Sequence, residues 1–133
     1  MTDTTAQPTR PYSLAFDIYP DYLYARVTSE KLTIESSLRY LHEIVDKCRE
    51  LGCHRLMIEK DVPMMLDMAQ AFTVASDFSD MRANSIKVAH LDKRTENFER
   101  NKFFILVSNN HGGSSRIFTE YAAAEEWLLE SAL

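Results

Sequence analysis

Two kinds of apolar periodicity follow one another in this chain, and their order restricts the fold more than any other feature. From Tyr12 to Ile18 (YSLAFDI) and from Tyr22 to Thr28 (YLYARVT), aromatic and β-branched residues dominate, and Pro20 and Asp21 supply a turn between them. In the second segment Tyr22, Tyr24 and Arg26 alternate with Leu23, Ala25 and Val27, the period of two expected of a strand with one buried face. From Thr33 to Leu51 the spacing lengthens. Ile34, Leu38, Leu41, Val45 and Cys48 recur every three or four residues, while Arg39, Glu43, Asp46 and Arg49 fall on other faces. That pattern predicts a helix, capped by Thr33 and ended by Gly52 in the left-handed conformation.

The alternation then continues. Arg55 to Glu59 (RLMIE) is an apolar run of strand length. Asp61 reads as an N-cap with Pro63 in the first turn of a second helix, which should run to about Ser79. Its inward stripe would be Met64, Met68, Ala71, Ala75 and Phe78, widened by Met65, Ala69 and Phe72. Ser85 to Leu91 predicts a fourth strand. Phe103 to Val107 (FFILV) has strand-like content, but the helix formers before it favour a helix from about Thr95 to Asn109. NNHGGSS follows a helix instead of preceding one, so it reads as a C-cap and connection, not a phosphate loop. Arg116 to Phe118 is a short last strand, after which Thr119 caps a helix whose inward residues are Ala123, Trp127 and Leu128. The order β-β-α-β-α-β-α-β-α predicts an α/β fold: a mixed sheet, an N-terminal hairpin followed by alternating strands and helices, its later strands parallel. The 133 residues suit one domain at 12–133 behind a disordered polar tail at 1–11.

The ending RIFTEYAAAEEWL resembles the terminal strand and helix of the SpoIIAA-like, or STAS-like, bacterial family, with Arg116, Phe118, Ala124, Trp127 and Leu128 at the matching positions. SIKVAHLD and LGCHRLMIE are similar to two of its other strands, so the resemblance spans Tyr12 to Leu133. It implies a STAS/SpoIIAA-like fold and a non-enzymatic regulatory or protein-interaction role. Anti-sigma factor antagonists of related fold are switched by phosphorylation of a Ser or Thr at the turn after a central strand. Here that turn is MIEKDVPMM, residues 57–65, and no Ser or Thr occurs between Ile58 and Gln70. The phosphoacceptor is missing, and the switch mechanism is not carried over.

Composition narrows the functions further. A net charge of −5 with dispersed basic residues argues against nucleic acid as a partner, because phosphate neutralisation needs clustered Lys and Arg. No run of 18 apolar residues exists, MTDTTAQPTRP lacks the apolar segment of a secretory signal, and a cytoplasmic location is the simplest expectation. Cys48 and Cys53 fit neither a redox nor a zinc spacing and are expected as free thiols. His42, His54, His90 and His111 lie on separate elements with no metal-ligand spacing, so no catalytic residue, metal or cofactor is assigned.

The remaining candidates surround the turn. Lys60, Asp61, Met64, Met65 and Met68 are the expected partner or ligand surface, since unbranched thioethers make adaptable apolar contacts. Adjacent Met64 and Met65 cannot both face inward from one helix. Three readings follow: a module binding a protein partner or itself through the second helix; a carrier or sensor with an apolar, lipid-like ligand beneath that helix, for which peripheral membrane contact has no support in the sequence; and an enzyme using Glu59, Asp61 or a histidine, favoured if His54 or His90 meets a carboxylate in a closed pocket.

Overall fold

The computed structural model describes residues 11–81 and 85–130; the expected tail thus falls, except for Pro11, outside the described residues. Five strands, β1 (Ser13–Ile18), β2 (Leu23–Thr28), β3 (Arg55–Asp61), β4 (Lys87–Leu91) and β5 (Ser114–Phe118), form one sheet in chain order. β1 pairs antiparallel with β2, and β2 through β5 are parallel. The helices are α1 (Ile34–Leu51), α2 (Met68–Asp80), α3 (Phe98–Asn110) and α4 (Tyr121–Leu129), with a 3₁₀ turn at Thr95–Asn97 leading into α3. Element order and α/β class agree with the periodicity, and residues 103–107 are helical.

The sheet is covered unequally. α1, α2 and α3 pack on one face, where Tyr40, Leu41, Ile44, Val74 and Phe78 bury Leu23, Ala25, Val27, Leu56, Ile58 and Val88. α4 covers part of the other face, with Ala124 and Leu128 against Tyr22, Tyr24, Met57, Ala89 and Leu91. This corrects the one-faced reading of β2: Tyr22 and Tyr24 are buried as well as Leu23 and Ala25, because each set meets its own helix layer.

α1 ends as expected at both termini. Thr33 Oγ1 accepts from Ser36 N–H and Ser36 Oγ accepts from Thr33 N–H, each at 3.0 Å, while Gly52 takes φ 66° and Cys53 N–H returns to Cys48 C=O at 3.0 Å. That closing turn overturns the free-thiol expectation. A Schellman turn brings the residue after the glycine against the last helical turn, here Cys53 against Cys48; their Cα atoms are 5.2 Å apart and the two are joined as a disulfide. Motif spacing ignores this; the turn geometry does not.

The start of α2 is a second correction. Asp61 ends β3, and the chain stays extended beside residues 29–32, with Leu32 N–H donating to Met64 C=O at 2.9 Å. Pro63 lies in that extended segment and Asp61 caps no helix. The cap is Asp67: its Oδ1 accepts from Gln70 N–H at 2.8 Å, and Gln70 Oε1 accepts from Asp67 N–H at 3.0 Å. Starting the helix there turns Met68, Ala69 and Phe72 outward and leaves Ala71, Val74, Ala75 and Phe78 buried. At α4, Glu120 precedes the first turn with no side-chain cap, so Thr119 is not the cap; Ala123 is exposed, and Ala124 with Leu128 faces inward.

Candidate functional site

The segment after β3 divides its side chains among three environments. Asp61 is at the surface, accepting from Arg94 Nε at 2.9 Å. Met64 points outward, 57% exposed, and Met65 turns toward the core beneath α2, so the adjacent methionines do face differently. Lys60, placed by sequence on the surface with its neighbours, is buried. The alternation of β3 explains it: Ile58 and Lys60 share the face covered by α1, α2 and α3.

Lys60 belongs to a buried polar chain at the carboxyl ends of β3 and β4. Its Nζ donates to Asn101 Oδ1 at 2.8 Å, and Asn101 Nδ2 donates to Asp92 Oδ2 at 2.8 Å. Asn97 Nδ2 donates to the same Asp92 oxygen at 3.2 Å and to Val62 C=O at 3.0 Å, while Arg94 N–H donates to Asp92 Oδ1 at 2.9 Å. Burial pushes the Lys60 ammonium down to about 8, and the Asp92 charge opposes that shift. Sequence reasoning missed Asp92, Asn97 and Asn101. The available signal was an Asp at the end of a buried strand followed by two asparagines four residues apart on one helical face.

Beside this chain lies a small cavity lined by Lys60, His90, Met65, Leu66, Val74 and Phe104. Its volume is about 20 Å³. That is room for about one water molecule and far below the size of a lipid chain or an ordinary substrate. His90 is buried against the edges of Phe78 and Phe104, and its Nε2 has no hydrogen-bond partner among the described residues. Burial, with the nearby Lys60 charge, pushes its pKa down to about 3, so it is the neutral imidazole at ordinary pH. His54 precedes β3 and is exposed, at the opposite end of the sheet from His90. Glu59 accepts from the Tyr24 hydroxyl on the α4 side, and burial followed by that bond raises the phenol. The carboxylates and histidines named as catalytic candidates are therefore not brought together.

The apolar surface lies elsewhere along the same segment. Met68 and Phe72, successive turns of α2, are 49% and 51% exposed, and Leu106 of α3 is 56% exposed. Met68, Phe103, Ile105, Leu106 and Ile117 line an open groove of about 500 Å³ bordered by Glu99, Lys102 and Arg116. Phe72 and Leu106 were not among the sequence candidates; the exposed face of α2 was hidden by the misplaced helix start.

Among the described residues no group of three or more His, Cys, Asp or Glu side chains is arranged to hold a metal ion, and no helix is long and apolar enough to cross a membrane. Compared with known proteins, the chain matches no family model and no curated protein.

Proposed function

We propose that this protein is a non-enzymatic regulatory or interaction module of the STAS-like type, which binds a protein partner through the surface of α2 and α3. The carrying observation is the groove of about 500 Å³ along α3, closed at its sides by Met68 at the start of α2 and by Arg116 and Ile117 of β5, in which Met68 and Leu106 are each about half exposed. Exposed apolar side chains gathered along one groove mark an interaction site more often than isolated ones do. The open shape suits an amphipathic helix, whose apolar side would rest on Met68, Phe103 and Leu106 while its charges meet Glu99, Lys102 and Arg116.

The family resemblance lends this reading further support. Phe118 and Trp127 pack with ring centroids 5.7 Å apart, and Ala124 and Leu128 are buried, so the residues that carry the resemblance form one packed unit. The turn after β3 holds no hydroxyl that a kinase could phosphorylate, which sets this module apart from the phosphorylated antagonists of that family.

A second reading uses the same groove for an apolar small molecule, since its volume falls within the range of ligand sites. The cavity beneath α2, the place expected from sequence, is too small for that ligand. Native purification separates the two readings. A protein that copurifies with the wild type and is lost from Leu106→Glu and Met68→Glu variants of unchanged thermal stability supports the partner module. A small apolar molecule retained in native mass spectra and lost from the same variants supports the ligand reading. A wild type that recovers neither removes both.

A further inference from the structure

The two outer edges of the sheet are treated differently. At β5, Asn109 at the end of α3 turns its amide onto the free edge: Ser115 N–H donates to Asn109 Oδ1 at 2.9 Å, and Asn109 Nδ2 donates to Ser115 C=O at 3.0 Å. Those two backbone groups are thereby closed to another strand, a known way of blunting an edge. β1 has no such cover among the described residues. It runs for six residues in unbroken register with β2, without a bulge, a proline or a lysine, and its single charge, Asp17, is drawn to Arg26 of β2 at 3.3 Å.

The direction of the free groups follows from one hydrogen bond. Tyr19 N–H donates to Tyr22 C=O at 3.1 Å, which makes 19 and 22 a hydrogen-bonded pair of the hairpin. Alternation along an antiparallel pair then turns the backbone groups of Ser13, Ala15 and Asp17 toward β2, and those of Leu14, Phe16 and Ile18 outward. Leu14 and Phe16 pack on the core from the α1 side of the sheet, while Ile18 is 60% exposed.

We propose that β1 is a strand-pairing edge whose occupant is a second copy of this chain, giving a two-fold dimer with one continuous ten-stranded sheet. The sequence of the strand is complementary to itself in the antiparallel sense. With Phe16 on the two-fold axis, Leu14 stands opposite Ile18 of the second copy, and Ala15 opposite its Asp17. Outward backbone groups meet outward backbone groups, apolar side chains continue one row on the α1 face, and no like charges stand opposite each other. The pairing uses the β1 edge of both copies, and on β5 Asn109 occupies both backbone groups of Ser115. Pairing therefore stops at two and does not propagate into a fibre.

Sedimentation of the full chain over a wide concentration range tests this. The wild type is expected to dimerise reversibly, and the Leu14, Phe16 and Ile18 amides to exchange more slowly as the dimer fills. Ile18→Pro removes an outward N–H while sparing the bonds to β2, and Ile18→Lys adds a charge at the seam. Both should be monomeric with an unchanged melting temperature, while Leu106→Glu, on the other surface, dimerises like the wild type. A wild type monomeric at every concentration overturns the proposal and leaves the edge to a strand from another protein. Dimers that survive in the Ile18→Lys variant, or that are lost in Leu106→Glu, overturn it as well.

Discussion

Taking an ammonium group out of water costs several kcal/mol even after the protein relaxes around it, so Lys60 depends on the charge of Asp92 reached through Asn101. The dependence is unequal. Asp92 accepts from Asn97, Asn101 and Arg94 N–H and keeps these donors if the lysine is lost, whereas Lys60 has no other nearby anion among the groups acting on it. Asp92→Ala should therefore destabilise the fold by about 3 kcal/mol or more, the cost of a buried charge left unpaired, and Lys60→Met by clearly less. Denaturant midpoints of the two variants measure the difference. The pH dependence follows from His90 and Lys60 together. His90 is neutral in the fold down to about pH 3, whereas the unfolded chain protonates it from 6.5 downward; stability should fall on acidification through that window, by up to roughly 1.4 kcal/mol per pH unit. Lys60 releases its proton near 8 when folded but near 10.5 when unfolded, so stability should rise with pH between these values. A His90→Phe variant should flatten the acid limb of a stability–pH curve and leave the alkaline limb in place.

Elements with local signals were legible in the sequence, and elements that depend on tertiary pairing were not. α1 was readable because cap, stripe and terminating glycine all lie within its own residues. The start of α2 was not, because residues 61–64 are held extended by 29–32, a contact far away in sequence. Asp61 and Pro63 looked like a cap and a first turn; Asp67 and Gln70, six residues on from Asp61, carried the true signature. Asp67→Ala should cost about 1 kcal/mol of stability, the usual loss of an N-cap. Asp61→Ala should cost less than half of that, since its carboxylate is 60% exposed and its ion pair with Arg94 is open to solvent. If thermal melts ranked the two variants the other way, α2 would begin where the sequence first suggested. The candidate surface inherited this error. Met64 and Met68, assigned to the inward stripe although also named for the partner surface, are exposed, and Lys60 is buried; Phe72, placed in the same stripe, faces outward because the face a helix presents depends on where its first turn is laid.

At the scale of the whole molecule, hydrophobic alternation was enough to anticipate a five-stranded mixed sheet interleaved with helices. What pattern could not supply was the grouping across elements. The polar chain joins β3, the segment after β4, and α3; the groove joins α2, α3 and β5; neither is visible in any one segment. The strand order has a consequence for synthesis. Each strand pairs with the one made just before it, so the sheet can grow strand by strand as the chain leaves the ribosome, with no strand waiting for a distant partner. Its α4 face is the exception. Met57, Ala89 and Leu91 are in place early but stay bare until Tyr121–Leu129 arrives. A nascent chain stalled after Phe118 should bind a hydrophobic dye strongly and the full chain weakly, and during that interval a chaperone would find its target on this face.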